Sequence, residues 1–160
     1  MRVWTSTGNT QKMKNILTLS AIAAAFLGWA GMAHAQDTVL DNYTAVSTAL
    51  AQDNLSAAKS AATTLAEGAK GTALAEHASA LVKSDSLATA REHFKAISEE
   101  AVKLADGKAG YYVFTCPMVK AEWVQKTKEV QNPYMGKEML GCGSIKSSSS
   151  ASVKMGGCCG

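Results

Sequence analysis

The sequence predicts a mainly α-helical protein, an antiparallel bundle of about four helices followed by a C-terminal β-hairpin or loop region. Three observations support this class. Apolar residues recur at intervals of three and four across residues 36–105, which is the period of a helix with one buried face. The same 70 residues contain 18 alanines and no proline, a composition that favours helix. After Gly110 the sequence changes to aromatic and β-branched residues, which favour a strand.

Residues 1–35 have the features of a secretory signal peptide. Lys12 and Lys14 precede an apolar stretch, Ile16–Trp29, and Ala33-His34-Ala35 supplies the small residues of a cleavage site. A membrane-spanning helix needs about 20 apolar residues. The stretch is shorter than that, so a signal peptide is favoured over a membrane anchor.

We expect cleavage after Ala35, which leaves a soluble, periplasmic or secreted protein that begins at Gln36 and does not span a membrane. Met13 is an alternative start, so residues 1–12 are interpreted as a possible upstream extension. From Gln36 onward the sequence has 13 basic and 13 acidic residues. This neutral balance, without a cluster of lysine and arginine, argues against binding to nucleic acid.

Four apolar repeats define the predicted helices. The first three occupy the segments Val39–Leu50, Leu55–Leu65 and Thr72–Val82, separated by polar residues and glycines that end helices. A cap signal at Ser84-Asp85 precedes the fourth and most regular repeat, which consists of Leu87, Ala90, Phe94, Ile97, Ala101 and Leu104. Short connections between helices of this length favour antiparallel packing.

The part of the chain after Asp106 is predicted to carry the function, because all four cysteines and both prolines lie there. Tyr111–Thr115 is a β-prone run, and Met139–Ile145 is its predicted antiparallel partner. Trp123 and the turn residues Asn132-Pro133-Tyr134 lie between them. This intervening segment is interpreted as a loop around one apolar anchor.

Two regions are distinguished in the mature chain. Residues 36–146 are predicted to form one domain, which contains the bundle and the candidate site. Residues 147–160 are rich in serine and glycine and are predicted to form a flexible tail. The tail ends with the vicinal pair Cys158-Cys159, which is suited to capturing metal or bridging to another molecule rather than to an unstrained internal disulfide.

Cys116 and Cys142 are the central candidates for function. If the predicted strands pair, the two cysteines approach each other, with Met118 and Met139 beside them. Thiolate and thioether sulfur are soft donors that suit Cu(I) and are poor ligands for Mg²⁺ or Ca²⁺. A disulfide between the same cysteines is the alternative, because exported proteins retain disulfides. Residue chemistry leaves both open.

Other groups carry weaker signals. His93, beside Phe94 in the fourth predicted helix, is a further candidate metal ligand, although a packed histidine is the commoner role. The sequence lacks the C-x-x-C pair that is typical of structural zinc sites and of thiol-exchange enzymes. It also lacks the nucleophile elbow, metalloprotease and phosphate-loop motifs. We therefore expect a protein that is not an enzyme.

Three motifs in the second half resemble a known family. They are the run YVFTCPM at Tyr112–Met118, then Trp123, then NPYMGKEMLGCG at Asn132–Gly143. Together with the helical segment Arg91–Ser98, they resemble the envelope domain called domain of unknown function 3347. The resemblance covers residues 37–146. The segment between Met118 and Trp123 is shorter than the family pattern.

Members of that family occur alone in bacterial envelopes or fused to the periplasmic adaptor subunits of heavy-metal efflux pumps. The resemblance therefore implies the handling of copper or a related metal, with an efflux adaptor as partner. The ligand set that it implies is Cys116, Met118, Met139 and Cys142, with His93 as a further member.

The function that we expect is an exported module that binds or delivers Cu(I), linked to heavy-metal efflux and without catalysis. The alternative is a structural or protein-interaction domain that docks on an envelope transporter subunit. In that alternative, Cys116 and Cys142 form a fixed disulfide.

The mature protein is predicted to begin at Gln36, because the apolar stretch ends shortly before the cleavage site. N-terminal sequencing of exported protein checks this. Exported material that retains residues 13–35 would contradict it.

Overall fold

A computed structural model describes residues 20–146, with side chains from residue 35 onward. The predicted start extension and the tail with Cys158-Cys159 lie outside the described residues. The chain divides into two compact units, Met1–Ala35 and Gln36–Gly160. The boundary falls at the predicted cleavage position, and cleavage itself stays a prediction. Within the described range, no helix is both long enough and apolar enough to cross a membrane.

The described part of the chain contains four α-helices, which is the number predicted, although the first begins at Ser20 rather than near Val39. Their bounds are α1 Ser20–Ala51, α2 Leu55–Gly68, α3 Ala73–Val82 and α4 Leu87–Ala105. α2 packs against α3, and α3 packs against α4. The prediction of a mainly α-helical bundle with a C-terminal β region is therefore confirmed.

Polar side chains cap the starts of α2, α3 and α4. Asn54, Thr72 and Ser86 each accept a hydrogen bond from the backbone N–H three residues further on. The predicted cap at Ser84-Asp85 is wrong, because α4 begins at Leu87. The residue before it, Ser86, has the extended backbone that a cap requires.

A three-stranded antiparallel sheet follows α4. Its strands are β1 Tyr112–Cys116, β2 Ala121–Gln125 and β3 Ser144–Ile145, in the order β2-β1-β3. The predicted antiparallel pairing of the two arms is confirmed for β1 and β3, since Phe114 lies opposite Ile145.

Two details of the predicted β region are wrong. The segment around Trp123 is a strand rather than a loop, because the chain reverses in a four-residue turn after Cys116. Lys120, the last residue of that turn, has the left-handed φ of 49° that lets β2 return beside β1. Met139 lies in a short 3-10 helix, Gly136–Met139, rather than in a strand.

The main core joins the helices to the sheet. The Tyr43 ring of α1 stacks on the Phe94 ring of α4, with centroids 5.2 Å apart. The Tyr43 hydroxyl lies 2.7 Å from Ser98 Oγ and accepts the Val124 N–H of β2 at 3.3 Å. One fully buried tyrosine therefore ties two helices to the edge of the sheet.

A second, smaller cluster lies within the sheet. It contains Phe114, Cys116 and Trp123, which are all fully buried. Tyr134 packs against both clusters, because its ring centroid is 5.7 Å from that of Phe94 and 6.2 Å from that of Trp123. The segment after β2 is thus positioned by the core.

Replacing Tyr43 with phenylalanine is expected to lower the free energy of unfolding by about 1–3 kcal/mol, because the Val124 N–H is left buried without this acceptor. Urea denaturation followed by circular dichroism measures the loss.

Tyr111→Phe is the matched control. It removes an exposed hydroxyl bonded to Asp41, and a change within about 0.5 kcal/mol is expected. Equal effects of the two substitutions would contradict this role for Tyr43.

Candidate functional site

Three sulfur-containing side chains meet at the end of β1. The Sγ atoms of Cys116 and Cys142 are 3.2 Å apart, and both residues are thiols. The Cys142 Sγ is also 3.6 Å from the Sδ of Met118. We call Cys116, Met118 and Cys142 the sulfur cluster. The structure thus brings together three of the five side chains that the sequence predicted for the site.

The members of the sulfur cluster differ in exposure because they lie on different elements. Cys116 ends β1 and is fully buried, whereas Met118 lies in the turn between β1 and β2 and is 61% exposed. Cys142 lies in the turn between the 3-10 helix and β3 and is half-buried. The cluster therefore has one fixed, buried sulfur and two that face the surface.

Hydrogen bonds favour the thiolate form of Cys116. Burial raises the pKa of its thiol, but the backbone N–H of Val119 and the Cys142 thiol act in the opposite direction. The backbone N–H of Met118 and the side chain of Asn132 add to the lowering. The pKa of Cys116 therefore lies below its ordinary value. A thiolate is the form that ligates metals and attacks disulfides.

The buried side chain of Asn132 holds the segment that carries Cys142. Its Nδ2 donates to the Cys142 carbonyl at 2.6 Å, and its backbone N–H donates to the Leu140 carbonyl at 2.8 Å. Its Oδ1 accepts the backbone N–H groups of Tyr134 and Met135, at 2.9 and 3.2 Å. One residue therefore closes both ends of the loop 132–142 and fixes the position of Cys142.

An ion pair attaches the same loop to the helices. Arg91 of α4 pairs with Asp53, which lies between α1 and α2, at 2.5 Å. The Asp53 Oδ2 accepts the Lys137 N–H at 3.0 Å, and the Arg91 Nε donates to the Pro133 carbonyl at 2.8 Å. The pKa of Asp53 lies below its ordinary value, mainly because its carboxylate accepts the Lys137 N–H and also because it pairs with Arg91. We call Asp53 and Arg91 the latch.

Two glycines permit these close approaches. Gly136 has a φ of 62°, and a Cβ at this position would overlap the carboxylate of Asp53. Gly143 has a φ of 138°, and a Cβ there would lie 2.6 Å from the Trp123 ring and 3.1 Å from the Thr115 carbonyl oxygen. Both conformations are left-handed or otherwise restricted to glycine. Side chains at these positions would push the loop away from the bundle and from Trp123.

Met139 and His93 are the two predicted site residues that are not part of the sulfur cluster as defined above. Met139 accepts the Cys142 N–H with its carbonyl at 3.0 Å, and its side chain is 38% exposed. His93 is half-buried on α4, where it lines a surface cavity with Val119 and Tyr134. Among the residues that the structure describes, no three His, Cys, Asp or Glu side chains are close enough together to hold a metal ion. His93 therefore does not complete a three-residue group with the two cysteines.

Sequence reasoning missed the residues that hold the site together. Asn132 was grouped with turn residues, and Asp53 was not among the candidate site residues. Arg91 entered only as part of the family resemblance. An available signal was the Asn-Pro pair followed by Gly136, since glycine is favoured where the backbone adopts a positive φ.

The comparisons with known proteins find that the helical part of the chain is similar to a family model that describes no activity. Residues 39–109 match the family described as "Protein of unknown function (DUF3347)". No curated protein and no solved structure matches the chain significantly. The match runs from α1 to the residues just before β1. The sulfur cluster lies after the matched segment.

Gly136→Ala is expected to destabilise the protein by at least about 1–2 kcal/mol, because alanine is strained at this φ and its Cβ displaces Asp53. Urea denaturation measures the change. Gly141→Ala is the matched control in the same loop, since a Cβ there has open space and the backbone φ is not restricted. If Gly136→Ala is as stable as Gly141→Ala, the latch does not constrain the loop.

Proposed function

We propose that this protein is an exported, non-catalytic module that binds Cu(I) through the sulfur cluster and passes it to a heavy-metal efflux system. The observation that carries the proposal is the convergence of three sulfur atoms, with contacts of 3.2 and 3.6 Å, from two segments of the chain. Soft sulfur ligands select Cu(I) over hard cations.

The donor set favours Cu(I) over other common metals. Structural zinc sites use four Cys or His ligands, and the part of the chain that the structure describes has no three His, Cys, Asp or Glu side chains close enough together to hold a metal ion. Ca²⁺ and Mg²⁺ need oxygen ligands. Two thiolates and one thioether instead form a site of low coordination number in which every donor is soft. The thioether of Met118 adds a ligand without adding charge.

The cluster can admit an ion with small movements of its exposed members. Metal–sulfur bonds of about 2.3 Å place three sulfurs about 4 Å apart around one ion. The present sulfur–sulfur contacts are shorter by less than 1 Å. Cys116 is fixed by β1, whereas Met118 and Cys142 lie in turns. We propose that these two side chains move outward when copper binds.

The surroundings of the cluster suit transfer of the ion to another protein. Met118, Met139 and Leu140 are the large apolar side chains that are exposed within the described residues, and all three lie on the segments that carry the cluster. Exposed apolar groups that lie together mark surfaces for interaction. We propose that an efflux adaptor subunit contacts this surface, in line with the family resemblance.

The alternative function uses the same sulfurs in a different state. A distance of 3.2 Å between the two Sγ atoms also favours a disulfide. In that case the domain is a structural or interaction module whose bridge fixes the loop 132–142 to β1. Copper binding by the reduced protein distinguishes the two functions.

The reduced protein is expected to bind one Cu(I) and to compete with a Cu(I) chelator. The test uses the full chain with Cys158→Ser and Cys159→Ser, so that the tail cysteines contribute no ligands. Cys116→Ser or Cys142→Ser is expected to abolish high-affinity binding. Met118→Leu, which preserves volume, is expected to weaken binding about tenfold, or about 1.4 kcal/mol.

Met139→Leu is the matched control, because Met139 is also an exposed methionine beside Cys142. It is expected to change the affinity less than Met118→Leu does. The opposite order would make Met139 the third ligand. If the reduced protein does not compete with the chelator, the interaction-domain alternative replaces the copper proposal.

A further inference from the structure

We propose that Cys116 and Cys142 are also a reversible dithiol–disulfide couple that exchanges with small disulfides such as oxidised glutathione. Oxidation closes the sulfur cluster to metal. Only this last step rests on the proposed function, because the exchange chemistry depends on the two thiols alone. The two cysteines are 26 positions apart in the sequence. They therefore do not form the C-x-x-C motif that would indicate such a couple.

The fold holds the backbone at both cysteines and places their sulfur atoms in contact, while the Cys142 side chain is half-buried. Cys116 is paired with Ala121 across the sheet, at the end of a strand that β3 also borders. Cys142 lies outside the sheet, in a turn that the side chain of Asn132 holds through the Cys142 carbonyl. The sulfurs are 3.2 Å apart, and a disulfide bond is about 2.05 Å long. Formation of the disulfide bond therefore needs a small movement of the Cys142 side chain and no rearrangement of β1.

The difference in exposure assigns the order of the reaction. Cys116 is fully buried, and Cys142 is half-buried. A disulfide as large as oxidised glutathione reaches Cys142 first. Cys142 is therefore the attacking thiol and Cys116 the resolving thiol.

The exchange has two displacement steps. The Cys142 thiolate, after losing its proton to solvent, attacks one sulfur of oxidised glutathione. The glutathione S–S bond breaks, one glutathione thiolate leaves, and a mixed disulfide forms. The Cys116 thiolate then attacks the Cys142 sulfur and expels the second glutathione as a thiolate. In total, the protein loses two electrons and two protons, and one glutathione disulfide becomes two thiols.

The same two steps also run in the opposite direction. In excess reduced glutathione, a glutathione thiolate attacks the protein disulfide, because thiol–disulfide exchange is reversible.

The disulfide changes what the cluster can bind. Once the two sulfurs are bonded to each other, neither is a thiolate, and Met118 is left as a single thioether. A single thioether does not form a tight Cu(I) site. The redox state of the couple therefore controls whether copper is bound.

The test uses the full chain with Cys158→Ser and Cys159→Ser, free of metal, in buffers of varied reduced and oxidised glutathione. Acid quenching, thiol alkylation and mass spectrometry identify the products. We expect an intramolecular disulfide as the oxidised product of this protein. With Cys116→Ser, the reaction is expected to stop at one glutathione adduct on Cys142. With Cys142→Ser, the buried Cys116 is expected to react at least about tenfold more slowly, in line with the dependence of exchange on access.

A dithiol that persists in excess oxidised glutathione would overturn the proposal, and this measurement needs no variant at the two cysteines. Equal reaction rates of the two single variants, with circular dichroism showing that both are folded, would overturn the assigned order.

Chelator competition by the reduced and disulfide forms separates the two proposals. Copper binding by the reduced form alone supports both. Exchange without copper binding by either form supports the couple and refutes the copper function. Copper binding without exchange refutes the couple alone.

Discussion

The buried amide of Asn132 is the constraint on which the arrangement of the site depends. Its side chain and backbone form hydrogen bonds with both ends of the loop 132–142. A buried amide is costly unless its donors and acceptors are satisfied. The fold satisfies them with groups of the loop itself, so the loop has one favoured conformation. Cys142 is placed beside Cys116 as a consequence.

The helices contribute by fixing that loop to the rest of the domain. The latch joins the turn after α1 and the N-terminal part of α4 to Lys137 and Pro133. Tyr134 fills the space between the helical core and Trp123, and its hydroxyl donates to the Glu122 carbonyl at 2.9 Å. The sulfur cluster is thus held in place by tertiary contacts with the helical scaffold, whose residues 36–105 contain no cysteine or methionine.

The helical part was predictable from the sequence because its signals are local. Side chains such as Phe94 repeat at the helical period, and alanine-rich segments favour helix whatever they contact. The approach of Cys116 to Cys142 was also predicted, on the condition that the two arms pair as a hairpin. Strand β2 was not predicted, because Trp123 was interpreted as an isolated anchor and strand pairing depends on a turn whose conformation is set by Lys120. The role of Asn132 was not predicted either. A buried asparagine that forms several hydrogen bonds and an exposed asparagine in a turn have the same appearance in the sequence.

We propose that the fold places sulfur ligands for one soft ion. X-ray absorption spectroscopy of the copper-loaded, reduced chain with Cys158→Ser and Cys159→Ser identifies the atoms bound to copper. We expect Cu(I) surrounded only by sulfur, from Cys116, Cys142 and Met118, with the sulfur signal reduced in Met118→Leu. A first coordination shell dominated by nitrogen or oxygen, with the multiple-scattering pattern of imidazole, would contradict this proposal and would indicate histidine ligands instead.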